Sequence, residues 1–496
     1  MPIPSLPVEI LENVASFLAP SEYPDLYFAG AHTHPAPNLA LAFQAIDNLL
    51  YRHLFIGAFW SGRQNEKATL LHHTLRQRPL TDRRIPLSKT LTFDLKSLER
   101  LVPRVNAEAL GNIIQDLASL IACRNGALHI YDHFDRRDSY GWTCLNAALN
   151  NSESRVKKLI LTSDTVDQMM MRTPADTPTI RGLSPDDVHS VLQGKMRWLK
   201  ELRLDRLSPS IPRNITQLQG ARGTAPFTKL SLYGFGEGHR DLKALINWPT
   251  SLEEFEIAGW FPMYPFRQLV RVLVPHDFPR EELLPLKNAN QFISSLHAAH
   301  GSTLKSLHIG PLGCLTQIPE RPLPELPLHE LSPTYDFSIF EKLTFLSLSP
   351  CITSFKFGWV NIFAPNLEIF ELVIFAQGSA GFNLDDFQQP AENFLRELAR
   401  TISNSSSLKL RTIKIVYAPR NWFVTARDHH PAETTQFPSM VLQYVRTHTE
   451  YPWDRMERPK EEMRGLGIKF EYSEPNITRE AFNATWRRYL YYNAAN

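Results

Sequence analysis

A short apolar motif, Leu-x-x-Leu-x-Leu with aliphatic or aromatic substitutes, recurs along this chain. It appears as Val156-x-x-Leu159-x-Leu161, Leu199-x-x-Leu202-x-Leu204, Phe227-x-x-Leu230-x-Leu232 and Leu252-x-x-Phe255-x-Ile257. It returns as Leu304-x-x-Leu307-x-Ile309, Leu343-x-x-Leu346-x-Leu348, Leu367-x-x-Phe370-x-Leu372 and Leu410-x-x-Ile413-x-Ile415. Successive starts lie 43, 28, 25, 52, 39, 24 and 43 residues apart, an irregular series in which three intervals fall near the length of one strand-and-helix repeat. Helical patterns stand ahead of several strands, at Ala107 to Ile121, Pro185 to Leu192, Asn288 to His297 and Ala391 to Ile402. Lys89 to Phe93 fits an earlier first rung.

Helix, turn and short strand, repeated, predict a solenoid whose strands lie side by side in a parallel sheet. The first, fourth and sixth motif positions point into the core and the residues between them face outward. No single unit buries its own apolar face, so neighbours must stack. The outward set on the concave face then includes Arg203, Asp205, Ser231, Tyr233, Glu256, His308, Glu371 and Lys414, a mixed-charge surface with one aromatic anchor. Such a surface suits a protein target better than a polyanion.

Proline marks where the ladder is interrupted. Pro311, Pro319, Pro322, Pro324, Pro327 and Pro333 make residues 310–335 an extended loop or lid, and 207–226 and 418–438 read as further long loops. A last strand is expected at Gly467 to Tyr472 and a helix from about Thr478 to Tyr491, with Trp486, Tyr489 and Leu490 packing inward as a cap.

At the other end, Ile10, Val14, Phe17 and Leu18 form one apolar stripe of a helix, with Pro7 in its first turn and Glu9 and Glu12 near the positive end of its dipole. Residues 25–31 and 39–50 can add two short helices. The run Leu6-Pro7-x-Glu9-Ile10-Leu11-x-x-Val14-x-x-x-Leu18 resembles the opening of the F-box. After Leu18 the chain departs from that family, because Tyr23-Pro24 interrupts and His32-Thr33-His34-Pro35 stands where a basic aromatic element is usual. The resemblance implies docking on a Skp-type adaptor of a cullin-RING ubiquitin ligase through Leu6, Pro7, Glu9, Ile10, Val14 and Leu18. The body is similar to the variable leucine-rich-repeat region that follows an F-box in fungal and other eukaryotic proteins. It differs in holding Leu207 and Phe235 where such repeats place Asn or Cys.

Composition narrows the field. The chain has 496 residues, 43% of them hydrophobic, enough for a large core, and 53 Lys and Arg stand against 51 Asp and Glu. That balance leaves no electrostatic footprint for nucleic acid. Cys123, Cys144, Cys314 and Cys351 are widely spaced, which reads as free thiols in a reducing compartment rather than a metal or disulfide framework. Met1-Pro-Ile-Pro-Ser opens no signal peptide and no apolar stretch is long enough to cross a bilayer, so a cytoplasmic or nuclear protein is expected, with the sequons at Asn214, Asn404, Asn476 and Asn483 accidental.

Candidate chemistry is sparse. His32/His34, His72/His73 and His429/His430 lack the further ligands of a metal site, and Gly234 to Gly238 reads as the turn ending a strand rather than a phosphate loop. Arg136-Arg137-Asp138-Ser139 reads as a solvated loop, and no hydrolase elbow, kinase signature or paired carboxylates are visible. The expectation is therefore an α/β protein with three parts: an F-box-like helical module (1–60), a degenerate leucine-rich-repeat solenoid (61–420) and a capping segment (421–496). It would act without catalysis, cofactor or metal as the substrate-recognition adaptor of a ubiquitin ligase, binding a Skp-type adaptor and a protein target. The alternatives are a repeat scaffold with no ligase connection and an enzyme with a pocket beneath the proline-rich loop.

Overall fold

A computed structural model describes residues 55–56, 90–95, most of 111–123, 127–132, 134, 139–163, 183–207, 216–233, 239–258, 289–310, 335–349, 360–375, 389–405, 408–418, 451–472 and 479–480. The chain divides into two compact units, Met1–Leu252 and Glu253–Asn496. The F-box-like run 6–18, the proline-rich stretch 311–334, Gly234 to Gly238, the three histidine pairs and Trp486, Tyr489 and Leu490 lie outside the described residues.

In the first unit the strands follow one another in chain order, each parallel to the one before: β1 (Phe55–Ile56), β2 (Thr90–Asp94), β3 (Ala127–Asp132), β4 (Lys158–Ser163), β5 (Glu201–Asp205) and β6 (Lys229–Tyr233). A parallel neighbour can be reached only by a crossover, and helices supply it: α1 (Tyr140–Asn150) before β4, α2 (Pro185–Leu192) before β5 and the short α3 (Thr216–Gly220) before β6. α4 (His239–Asn247) follows β6. The second unit repeats the scheme with β7 (Glu254–Ala258), α5 (Ala289–His300), β8 (Ser306–Ile309), β10 (Phe345–Leu348), β12 (Ile369–Phe375), α6 (Gln389–Ser403), β13 (Thr412–Ala418), α7 (Pro452–Gly465) and β14 (Lys469–Tyr472). A separate parallel pair, β9 (Tyr335–Asp336) with β11 (Val360–Asn361), stands in the crossovers on either side of β10. Among the described residues no helix is long and apolar enough to cross a membrane.

The motif positions form the strand side of the core. The first, fourth and sixth residues of all eight motifs are buried. Register aligns them rung by rung: Leu159, Leu202 and Leu230 in one column of the first unit, and Phe255, Leu307, Leu346, Phe370 and Ile413 in one column of the second. Burying each such side chain is worth about 1.5–3 kcal/mol, so the columns carry much of the cohesion of each unit.

Several elements depart from the sequence reading. β3 has no motif because Asn125 occupies its first position, although Leu128 and Ile130 are buried like their counterparts. Part of 207–226, read as loop, is helix α3. α1 and α7 were not anticipated, and α7 carries Pro459 in its interior, where the missing N–H and the ring both disfavour a helix. Among the described residues the first strand is β1 at Phe55–Ile56, which falls within the span 1–60.

Polar groups hold the helices in place. α2 starts at Ser184, whose hydroxyl accepts the Asp187 N–H at 3.2 Å, with Pro185 in the first turn and Asp186 and Asp187 near the positive end of the helix. α6 and α7 are joined by two ion pairs with the same offset, Arg458 to the almost fully buried Glu392 (Nε to Oε1 2.8 Å, Nη2 to Oε2 3.0 Å) and Arg396 to Glu462 (2.7 Å). Both partners advance by four residues, so the two helices run parallel.

α1 is seated by a close backbone approach. The buried Asp132 carboxylate at the end of β3 accepts the Gly141 N–H at 2.6 Å, and Phe134 packs edge-on against Trp142 with centroids 4.9 Å apart. A Cβ at position 141 would fall 2.5 Å from Asp132 Oδ2 and 2.8 Å from the Phe134 ring. Gly141→Ala is expected to lower stability by about 1–3 kcal/mol, read as a lower urea midpoint with an unchanged m-value.

Candidate functional site

The non-motif side of the strands carries the polar residues, and register arranges them in rows. In the first unit one row runs His129, Ile160, Arg203, Ser231 and the next Tyr131, Thr162, Asp205, Tyr233. The two rows are cross-connected. The Thr162 hydroxyl donates to Asp205 Oδ2 at 2.9 Å and the Arg203 Nε–H donates to Oδ1 of the same carboxylate at 2.8 Å. Arg203 in turn lies over the Tyr233 ring, its Cζ 4.2 Å from the centroid. Because Thr162 spends its one proton on Asp205, the 3.0 Å contact with His129 requires the imidazole to donate from Nε2. Burial, with Arg203 and Lys158 adding to it and Asp205 opposing, pushes the His129 pKa down to about 4, so the ring is neutral at physiological pH.

Arg203, Asp205 and Tyr233, named from the sequence as separate outward residues, thus form one connected cluster. His129 and Thr162 complete it. The expectation of a solvated face is corrected at Asp205 and Ser231, which are buried because neighbouring rungs, only about 4.8 Å away, cover short side chains from both sides. The signal for His129 is present in Leu128-x-Ile130, but Asn125 at the first motif position hides the strand.

In the second unit the sequence-predicted residues Glu256, His308, Glu371 and Lys414 fall in a single row with Ser347 and Glu471, one residue on each of β7, β8, β10, β12, β13 and β14. The row is joined by His308 and Glu256 at 3.9 Å, by the Ser347 hydroxyl donating to Glu371 at 2.8 Å, and by Lys414 and Glu471 at 3.9 Å. Ser347 and Glu471 are the members that pattern reading did not name. Partly exposed pairs of this kind are worth at most about 1 kcal/mol each, so they fix side-chain direction more than stability. The adaptor-facing set Leu6, Pro7, Glu9, Ile10, Val14 and Leu18 lies outside the described residues.

Among the described residues no three His, Cys, Asp or Glu side chains converge as for a metal ion. The Cys144 thiol is buried and its pKa is raised by burial and then by the Asp132 charge. No family model matches this chain, and no curated protein matches it.

The His129 position makes stability pH-dependent. The unfolded ring, with a pKa near 6.5, binds a proton more readily than the folded one, so protonation favours unfolding between pH 6.5 and about 4. The contribution is complete above pH 6.5 and declines as pH falls through that window. Urea denaturation at pH 7.5 and pH 5 is expected to show a wild-type loss about 1–2 kcal/mol greater than that of His129→Gln.

Proposed function

We propose that this chain is a protein-recognition subunit that presents the polar rows of its parallel strands to a protein target. The observation that carries the reading is the Arg203–Asp205–Thr162–His129 cluster with Tyr233 against Arg203: an aromatic and an arginine held rigid, the pair of side chains most enriched where binding energy concentrates. The mixed charge along Glu256, His308, Glu371 and Lys414 supports a protein partner in the same way. The run Leu6 to Leu18 adds the ligase connection: on its resemblance to the F-box, the chain is the substrate-recognition adaptor of a Skp–cullin-type ubiquitin ligase, working in the cytoplasm or nucleus without a cofactor. The second reading is a leucine-rich-repeat-type scaffold with no ligase partner. It draws on β1, which carries the ladder back to Phe55 and so ties the chain just after the N-terminal segment to the sheet.

Coprecipitation of the full-length chain with a Skp-type adaptor separates the two. Wild-type protein is expected to bind, and the double variant Leu6→Asp, Ile10→Asp to lose at least about tenfold in affinity. A wild-type chain that does not bind the adaptor overturns the ligase reading in favour of the scaffold.

A further inference from the structure

Just before each strand of the ladder the chain passes through the first motif residue, and the positions flanking it form an edge where the strands begin. At β4 and β5 that edge is strongly basic: residues 153–158 and 193–201 hold six cations against Glu153 and Glu201. Glu201 is engaged, lying 3.1 Å from Lys158 and 3.8 Å from Lys229. Arg155, Lys157, Arg197 and Lys200 are exposed and make no ion pair with a described residue. Lys157 and Lys200 are direct neighbours, since the Lys200 N–H donates to the Lys157 carbonyl at 2.7 Å.

The second unit shows what this position holds when it serves the fold alone. There Lys305 N–H donates to the Glu253 carbonyl at 2.8 Å, and the two side chains are an ion pair at 2.9 Å. Two lysines in the corresponding place repel, which costs stability that an internal partner could have recovered. Beside them stands Trp198, 45% exposed and the exposed large hydrophobic residue among those described. Arg197 lies over its ring at 5.3 Å. A small notch next to it is lined by Leu149, Ser154, Val156, Lys195, Met196 and Leu199.

We propose that this strand-entry edge, Trp198 among Arg155, Lys157, Arg197 and Lys200, docks an acidic segment of a partner protein, with an apolar side chain of that segment laid against the exposed Trp198 indole. The inference rests on the reading that the chain binds protein and is independent of the adaptor. An anionic membrane surface fits less well, because interfacial binding needs an apolar face and one indole is not a face. Single-stranded nucleic acid fits less well, because stacking platforms use successive aromatic rings and Arg197 already covers one side of this one.

The test uses the full chain and a fluorescein-labelled oligoglutamate peptide with one central leucine, followed by anisotropy. Binding is expected, weakening with added salt, and absent for the same peptide with glutamine in place of glutamate. Trp198→Ala and the double variant Lys157→Glu, Lys200→Glu are each expected to lose about tenfold or more, while Lys409→Glu, one such charge reversal at a strand entry of the second unit, leaves binding unchanged. Circular dichroism and urea midpoints confirm that the variants fold. The proposal is overturned by no binding, by equal binding of the glutamine peptide, by variants that bind as wild type, or by tighter binding of oligo-dT or phosphatidylserine vesicles. A chain that binds the Skp-type adaptor but not oligoglutamate loses this inference alone; one that binds oligoglutamate but not the adaptor loses only the ligase reading.

Discussion

Everything in this molecule depends on one constraint: a strand with a parallel neighbour on each side cannot satisfy its backbone or cover its apolar side chains from within its own segment. Each rung borrows both from the next. The leucine columns and the backbone ladder are two expressions of that dependence, and they reinforce each other, since a shift of one residue in register would turn the whole apolar set outward. The variable spacing between motifs follows from the same logic. What lies between strands needs only to return the chain to the start of the next one, so a helix of 5 residues at α3 and one of 15 at α6 both serve.

The polar side of the strands is organised by the same register. Residues far apart in sequence are brought one strand spacing apart, and the fold then selects among them. In the first unit the result is a connected cluster in which one carboxylate, Asp205, collects both Arg203 and Thr162. In the second it is a line of alternating partners from Glu256 to Glu471. The two differ in rigidity. The cluster is built on the buried Thr162 and Asp205 and holds a neutral imidazole, whereas Lys414 and Glu471 remain substantially in solvent.

The core was legible in the sequence because its period is unusual: three apolar positions in a six-residue frame can be recognised even when leucine is replaced by phenylalanine or isoleucine. Where the frame breaks, as at Asn125, the strand disappears from view although its fold position is intact. α7 was hidden for a different reason, since Pro459 and a run of charges obscure its inward residues Trp453, Met456 and Met463. Of the polar site, the pattern gave the side of the sheet for Arg203, Asp205 and Tyr233 but not their connection, which depends on how far each neighbour reaches. The basic edge was concealed by the overall charge of +2, an average over the whole chain that says nothing about six cations gathered at two adjacent rungs.

The paired ion contacts between α6 and α7 bear on how this chain can change over time. Glu392 with Arg458 and Arg396 with Glu462 share an offset of 66 residues, so the clasp senses only the phase of the two helices and not the length of what joins them. A single insertion between Glu392 and Arg396, or between Arg458 and Glu462, would rotate one partner about 100° out of alignment. Variation in length among descendants of this sequence should therefore collect in the connecting segments and spare the helices, leaving the unequal intervals between motifs as the trace of a fold that tolerates drift in one place and forbids it in the other.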